Sequence, residues 1–212
     1  MPWWKSKRPA SPVVITDPTL RSFRLSLAGW NEKIVTDCGG EVRLWNDAEE
    51  NAINVGALKA HKITSGAAMP GWSLQSWARD FARDMSGSLI EADHENLPFG
   101  SGLRVICQCP PKPAFIYCGT LIFPRNDVDI VITVVSQERG TTGIREAILI
   151  FEYLEQARLK GLDLEESIRS FAGNPYDPIY DSRFPDHPLS KVRRLLAELP
   201  ACISFDASQR LN

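Results

Sequence analysis

From Ser22 the chain alternates apolar and polar positions. Phe23, Leu25 and Leu27 fall on one side and Arg24 and Ser26 on the other, which predicts a half-buried strand that ends at Gly29. Val42 and Leu44 alternate in the same way with Glu41 and Arg43 after the Gly39-Gly40 turn, and Ile53, Val55 and Ala57 repeat the period. The opening third therefore reads as an antiparallel meander. The period then changes: Leu74, Trp77, Ala78, Phe81 and Met85 recur at helical spacing, with Arg79, Asp80, Arg83 and Asp84 opposite and Ser73 placed as N-cap. A second meander follows. Leu103, Val105, Cys107 and Cys109 share one strand face, and "AFIYCGTLIF" and "VDIVITVV" are nearly continuous apolar runs, as central strands covered on both faces require.

The last third predicts helices. Thr142 or Gly143 is placed as N-cap for "IREAILIFEYLEQARLKG", whose stripe Ile144, Ala147, Ile148, Phe151 and Leu154 is widened by Leu149, Ile150 and Tyr153. That width predicts a mostly buried helix. Asp163 and Glu166 form an acidic capping box for a short helix around Leu164 to Phe171. A closing helix near Pro188 to Leu199 and a short strand at Cys202 to Phe205 complete the order. Strands, helix, strands, helices without regular β-α alternation predict an α+β fold, a central antiparallel sheet flanked by helices in an α/β/α sandwich. Residues 1–18, rich in proline and basic side chains, read as an N-terminal arm. Residues 19–212 read as a single domain with a helical and proline-rich insertion at about 141–187.

The segments "FRLSLAGW", "DCGGEVRLWN", "INVGALK", the helix "SLQSWARDFARDM", the hairpin "LRVICQC…AFIYCGTLIF", "VDIVITVV" and a last helix leading to "ACISFD" together resemble the PsbP-like superfamily. That superfamily includes the photosystem II extrinsic subunit and a Ran-binding release factor. The resemblance covers about residues 22 to 140 and the C-terminal helix, and rests on pattern. Thr141 to His187 is inserted relative to that pattern. What the resemblance implies is a non-catalytic scaffold that contacts proteins or larger assemblies; it carries no functional residue to a position here.

Composition narrows the function. With 43% hydrophobic residues in 212, the chain supplies a real core, and a net charge of −2 does not suit a general nucleic-acid binder. No apolar run reaches the roughly 18–20 residues of a membrane span, and no apolar stretch follows the basic residues of the N-terminus, so a cytoplasmic protein is expected. Five cysteines, an odd number spread along the chain, predict reduced thiols.

Four constellations invite chemistry. "NPYDPIYDSRFPDHP" gathers Asp177, Asp181, Asp186 and His187 as candidate metal ligands, but it lacks calcium-loop spacing and the H-E-x-x-H pattern. Its proline-bracketed dipeptides read better as a connector, with Pro188 in the first helical turn and Asp186 or His187 as cap. Lys191, Arg193 and Arg194 read as a solvated helix face rather than a phosphate site. Cys107, Cys109 and Cys118, with Cys38 as a fourth ligand, show one C-x-C and two singles where structural zinc shows tandem C-x2-4-C pairs; small core residues are the stronger reading. Asp93, His94 and Glu95 read as a solvated strand end or loop. Neither a phosphate-binding loop nor a nucleophile elbow is present.

No metal and no cofactor is expected, and the leading expectation is a non-catalytic protein-binding or assembly module. One alternative is an enzyme assembled from dispersed groups such as Cys118, His94 and the Asp181–His187 loop; another is a bacterial effector-associated or immunity-like protein with one cognate partner. The partner-facing candidates are Trp3 and Trp4 on the arm and Asp177, Tyr180, Asp181, Arg183, Asp186 and His187. Beside Lys5, Lys7 and Arg8, the two indoles suit a partner groove or weak contact with an anionic membrane surface. Residues 163 to 187 hold six acids against two arginines directly before a basic helix. A loop folded onto that helix is a clasp; a loop standing away is a partner surface.

Overall fold

A computed structural model describes residues 20, 22–37, 40–49, 51–59, 73–110, 114–125, 128–169 and 174–205. The arm with Trp3 and Trp4, Cys38 and His61 lie outside them. The strands are β1 (Phe23–Leu25), β2 (Asn31–Asp37), β3 (Gly40–Asn46), β4 (Ala52–Lys59), β5 (Ser88–Leu97), β6 (Gly100–Cys109), β7 (Ile116–Arg125), β8 (Val128–Gln137) and β9 (Ile203–Phe205). The helices are α1 (Leu74–Asp84), α2 (Ile144–Leu159), α3 (Leu164–Arg169) and α4 (Pro188–Cys202), with a 3-10 turn at Pro178–Tyr180. Seven strands form an antiparallel sheet in the order β2-β3-β4-β8-β7-β6-β5, and β1 pairs with β9 in a second, two-stranded sheet. The expected α+β fold is what forms. The two nearly continuous apolar runs, β7 and β8, lie at its centre and are buried over most of their length.

Alternation assigns each face. Tyr117, Leu121 and Phe123 of β7, and Ile130, Ile132 and Val134 of β8, pack with Leu189, Val192, Leu196 and Leu199 of α4 in the main core. Cys107, Cys109, Ile116 and Cys118 point to the other face, where they meet Ala82 of α1, while Ala78 covers Ala92 and Val105. The buried line of α1 is thus Ala78 and Ala82; the bulkier Leu74, Trp77, Phe81 and Met85 flank it, because small residues let the helix approach the sheet.

The caps follow sequence logic. Ser73 Oγ accepts from Ser76 N at 3.1 Å, and Asp163 Oδ1 accepts from Glu166 N at 2.8 Å. Gly143 precedes α2 at φ 74°, a conformation glycine adopts at little cost.

Two expectations need correction, and one strand is additional to those expected. Asp93, His94 and Glu95 lie inside the edge strand β5, paired with Arg104, Leu103 and Gly102, because Glu91, Asp93 and Glu95 place their carboxylates around Arg104. Asn31–Asp37 forms a strand that its mixed sequence does not announce; it pairs along its whole length with β3, and the Arg43 side chain of β3 reaches Glu32. The second correction concerns α2, which is not mostly buried. Only Arg145, Leu149 and Ala157 of its side chains are buried, while Ile144, Ile148, Ile150, Phe151 and Leu159 are exposed.

The α4 contact demands a residue without a side chain on β7. A Cβ on Gly119 would lie 2.4 Å from Val192 Cγ1 and 2.6 Å from Leu196 Cδ1, both on fully buried side chains. Gly119→Ala is therefore expected to cost about 1–3 kcal/mol, read as a lower urea midpoint. Gly56→Ala on β4, where an added Cβ would meet nothing within 4 Å, should cost less than about 1 kcal/mol. Equal losses would contradict close packing of α4 on β7.

Candidate functional site

Proline-restricted backbone delivers residues 174–187 across the N-terminal ends of α2 and α4. Asp177 Oδ1 accepts from Ile179 N at 2.9 Å and sets the 3-10 turn, which leaves Asp181 pointing inward. Its Oδ1 accepts from Arg145 NH1 at 2.9 Å, Arg193 NH1 at 2.7 Å and Ser190 Oγ at 3.0 Å. Arg145 is 0% exposed, and its other donors are also used: Nε to Pro175 O at 2.8 Å, NH2 to Asp177 O at 3.0 Å, NH1 to Ser190 Oγ at 3.1 Å. Arg193 reaches the Tyr176 carbonyl and, through Nε at 2.7 Å, Glu91 Oε1 of β5. Two guanidiniums and two carboxylates balance, which is the condition for holding such charges out of water.

The loop is therefore a clasp folded onto α4. Arg193 is buried rather than part of a solvated basic face, Lys191 pairs with Glu49 at 2.6 Å, and Arg194 is exposed. Of the partner-facing candidates on the loop, Asp181 belongs to the clasp and His187 is buried. Asp177 and Tyr180 are half-buried, and Asp186 is exposed. Arg183 is exposed, pairs with Glu152 of α2 at 2.6 Å and stacks beside Tyr180 and Phe184.

Beside the clasp lies a second buried polar group. His187 caps α4: Leu189 N donates to its Nδ1 at 3.2 Å, so the neutral ring carries its proton on Nε2 and donates it to Glu138 Oε1, 3.2 Å away. Tyr117, edge-on to the His187 ring at 5.1 Å, donates to Glu146 Oε1 at 3.2 Å; Gln108 Nε2 donates to the Tyr117 hydroxyl at 2.9 Å, and Tyr176 donates to Gln108 Oε1 at 3.2 Å. A cleft of about 340 Å³ lined by Glu49, Gln137, Glu138 and Arg139 borders this group. Burial and the Arg145 guanidinium press His187 down to about 4, while burial raises Glu138 above the usual carboxylate range and Tyr117 above the usual phenol range.

Ligand atoms of Glu138, Glu146 and His187 lie within 4.8 Å of one another. A cation there would need the Nε2 lone pair, but the cap to Leu189 puts the proton on that nitrogen, and Arg145 already supplies positive charge. The trio fits a hydrogen-bonded cluster and not a metal centre. Nor does the dispersed catalytic trio converge. His94 and Cys118 are two strands and four residues apart, on the order of 16 Å at sheet spacing, and His187 is on the α4 face, opposite the face that Cys118 shares with α1. In the sequence Arg145 is an ordinary helix position, so the Arg145–Asp181–Arg193 arrangement is not announced; an arginine in the first helical turn, two residues after a glycine cap and within an apolar stripe, is the available signal.

No family model matches the chain, and no curated protein matches it. Among solved structures, the Ran-binding protein Mog1p of Saccharomyces cerevisiae is 13% identical with a TM-score of 0.47, the match covering 88% of this chain and 92% of that one. A mutant form of protein Mog1 gives 13% identity and a TM-score of 0.47, over 88% of this chain and 93% of that one.

Arg145→Met should cost about 2 kcal/mol or more, since it leaves two part-buried carbonyls and part of a half-buried carboxylate unpaired. Arg183→Ala, which opens an exposed pair, should cost less than about 1 kcal/mol; chemical denaturation compares the two. Acid gives a second test. Because the folded state holds His187 near 4 and the unfolded chain titrates near 6.5, this stabilisation is complete above 6.5 and fades as the pH falls toward 4. The raised Glu138 acts in the opposite sense, gaining stability on acidification. His187→Asn keeps a cap acceptor without the titration. Between pH 7 and 4.5 it should lose about 2 kcal/mol less than the parent; parallel pH profiles would remove His187 as the acid-sensitive group.

Proposed function

We propose that this chain is a non-catalytic protein-binding module whose docking surface is the outer face of α2. The carrying observation is a helix turned inside out. Its buried side is Arg145, Leu149 and Ala157, whereas Ile144, Ile148, Phe151 and Leu159, at i, i+4, i+7 and i+15, line the opposite side. Phe151 is 64% and Leu159 79% exposed. Single exposed apolar residues are ordinary; a stripe at helical spacing on a fixed helix marks an interaction surface.

The stripe has the shape that receives one apolar helix of a partner, with anchors every three to four residues. Exposed Asp163, Glu165 and Glu166 close its C-terminal end, which favours a partner helix with basic residues at the end that lies there. The free state of Cys107, Cys109, Cys118 and Cys202 suits a reducing compartment such as the cytoplasm. Arg183 borders the same helix through its pair with Glu152 and Asp177 through its carbonyl to Arg145, and with Tyr180 and Asp186 of the same loop they are assigned to the rim. Rim residues of this kind tune partner choice more than affinity.

A photoactivatable phenylalanine analogue at position 151 tests this in the full chain. The expected product is a crosslink to a second, different protein, lost in Ile148→Asp, with an unchanged thermal midpoint. A crosslink between two copies of this chain would replace the partner by self-association, and the absence of any crosslink in the native host would overturn the reading.

A further inference from the structure

Cys107 and Cys109 project from the same face of β6, and the register sets Cys118 of β7 directly opposite Cys107. The three Sγ atoms lie within 4.8 Å of one another, and all three residues are buried. Met85 adds a fourth sulfur, its Sδ 3.9 Å from Cys107 Sγ. Three thiolates around one ion at ~2.3 Å would sit just under ~4 Å apart, so small side-chain rotations bring these sulfurs to ligand spacing. The end of α1 is drawn tightly over them. A Cβ on Gly87 would fall 2.7 Å from Gln108 O and 3.2 Å from Cys109 Sγ, and Cys109 Sγ lies 3.6 Å from Met85 O.

Charge decides which ion. The walls are Ala82, Ile116, Met85, Leu89 and Val135, and among the described residues the groups that act on the three thiols are the thiols themselves and burial, with no cationic side chain. Three thiolates carry −3, so a monovalent ion would leave −2 and a divalent ion −1 in an apolar nest, at the desolvation cost of a buried unpaired charge. A trivalent thiophile leaves none. We propose that Cys107, Cys109 and Cys118 form a three-sulfur site for a trivalent thiophilic species with exchangeable hydroxyls, of the arsenite and antimonite class.

The exchange balances without redox chemistry. Three S–H and three As–O bonds break, three As–S bonds form, and each thiol proton leaves with one hydroxyl as water, so As(OH)3 and three thiols give one neutral As(SR)3 and three waters. The hydrogen bonds shared among the sulfurs, and after them burial, hold Cys107 up at about 12 and Cys118 well above the ordinary thiol range, and the hydrogen bonds from Cys107 and Cys118 draw Cys109 down to about 4. Where Cys109 begins as thiolate, the third hydroxyl leaves as hydroxide and the product is the same. The site lies on the sheet face opposite the clasp and is independent of the docking role of α2.

Sodium arsenite added to the reduced full-length protein is the test. The expected result is one arsenic per chain bound to three sulfurs by X-ray absorption, retained in Cys38→Ser and Cys202→Ser. Cys107→Ala, Cys109→Ala and Cys118→Ala, checked for folding by circular dichroism, should each weaken uptake by more than the ~10–100-fold that loss of an outer-shell partner typically causes. Coordination by two sulfurs, loss of uptake in Cys38→Ser or Cys202→Ser, or tighter binding of cadmium than of arsenite would overturn the proposal. The coordination number is read on the parent protein, so it stands even where a core variant fails to fold.

Discussion

One carboxylate oxygen fixes the C-terminal third of this protein. Asp181 Oδ1 accepts from Arg145 of α2 and from Arg193 and Ser190 of α4, and Arg193 continues to Glu91 on the edge strand β5. The 174–187 loop, α2, α4 and β5 are thereby tied by a charge-balanced group that is largely shielded from water. The 174–187 segment has little apolar surface of its own to bury, so its course is set by carbonyl capture: Pro175 and Asp177 by Arg145, Tyr176 by Arg193. Such a group specifies geometry, because a displaced loop would leave a guanidinium buried and unpaired.

The inversion of α2 follows from that constraint. An apolar stripe ordinarily turns inward because burial of each large side chain is worth about 1.5–3 kcal/mol. Here the N-terminal turn is held by Arg145, which lies roughly a third of a turn from Ile144, and bringing the isoleucine stripe inward would draw that arginine out of the clasp. The helix consequently presents Ile144, Ile148 and Phe151 to solvent.

What can be read from the sequence divides along the same line. Local rules suffice for the central strands, for the Ser73, Asp163 and His187 caps and for α4, since each depends on neighbours within a few residues. They fail where a partner lies far away in sequence. Arg145 meets Asp181 thirty-six residues on, and Arg193 meets Glu91 across one hundred and two. Glu91, Asp93 and Glu95 alternate as a strand should, but a period marked by charge rather than by apolar residues reads as a loop; Arg104 on β6 supplies the reason for it. The shared face of Cys107 and Cys109 is legible from their spacing. The arrival of Cys118 depends on the β6–β7 register, which no local pattern encodes.

The clasp and the exposed stripe are two sides of one helix, and this relation bears on binding. A docking surface on a loosely held helix must be ordered when a partner arrives, at a cost of about 0.5–1.5 kcal/mol for each rotamer-rich side chain immobilised. On α2 the inner side is already fixed by Arg145, and two turns on, along the same edge, the Arg183–Glu152 pair braces it to the loop. Its apolar anchors therefore stand preorganised at helical spacing before any partner binds. The same coupling runs in reverse: a change that loosens Asp181 or the His187 cap shifts the helix that carries the stripe, so the polar interior governs the presentation of the apolar exterior.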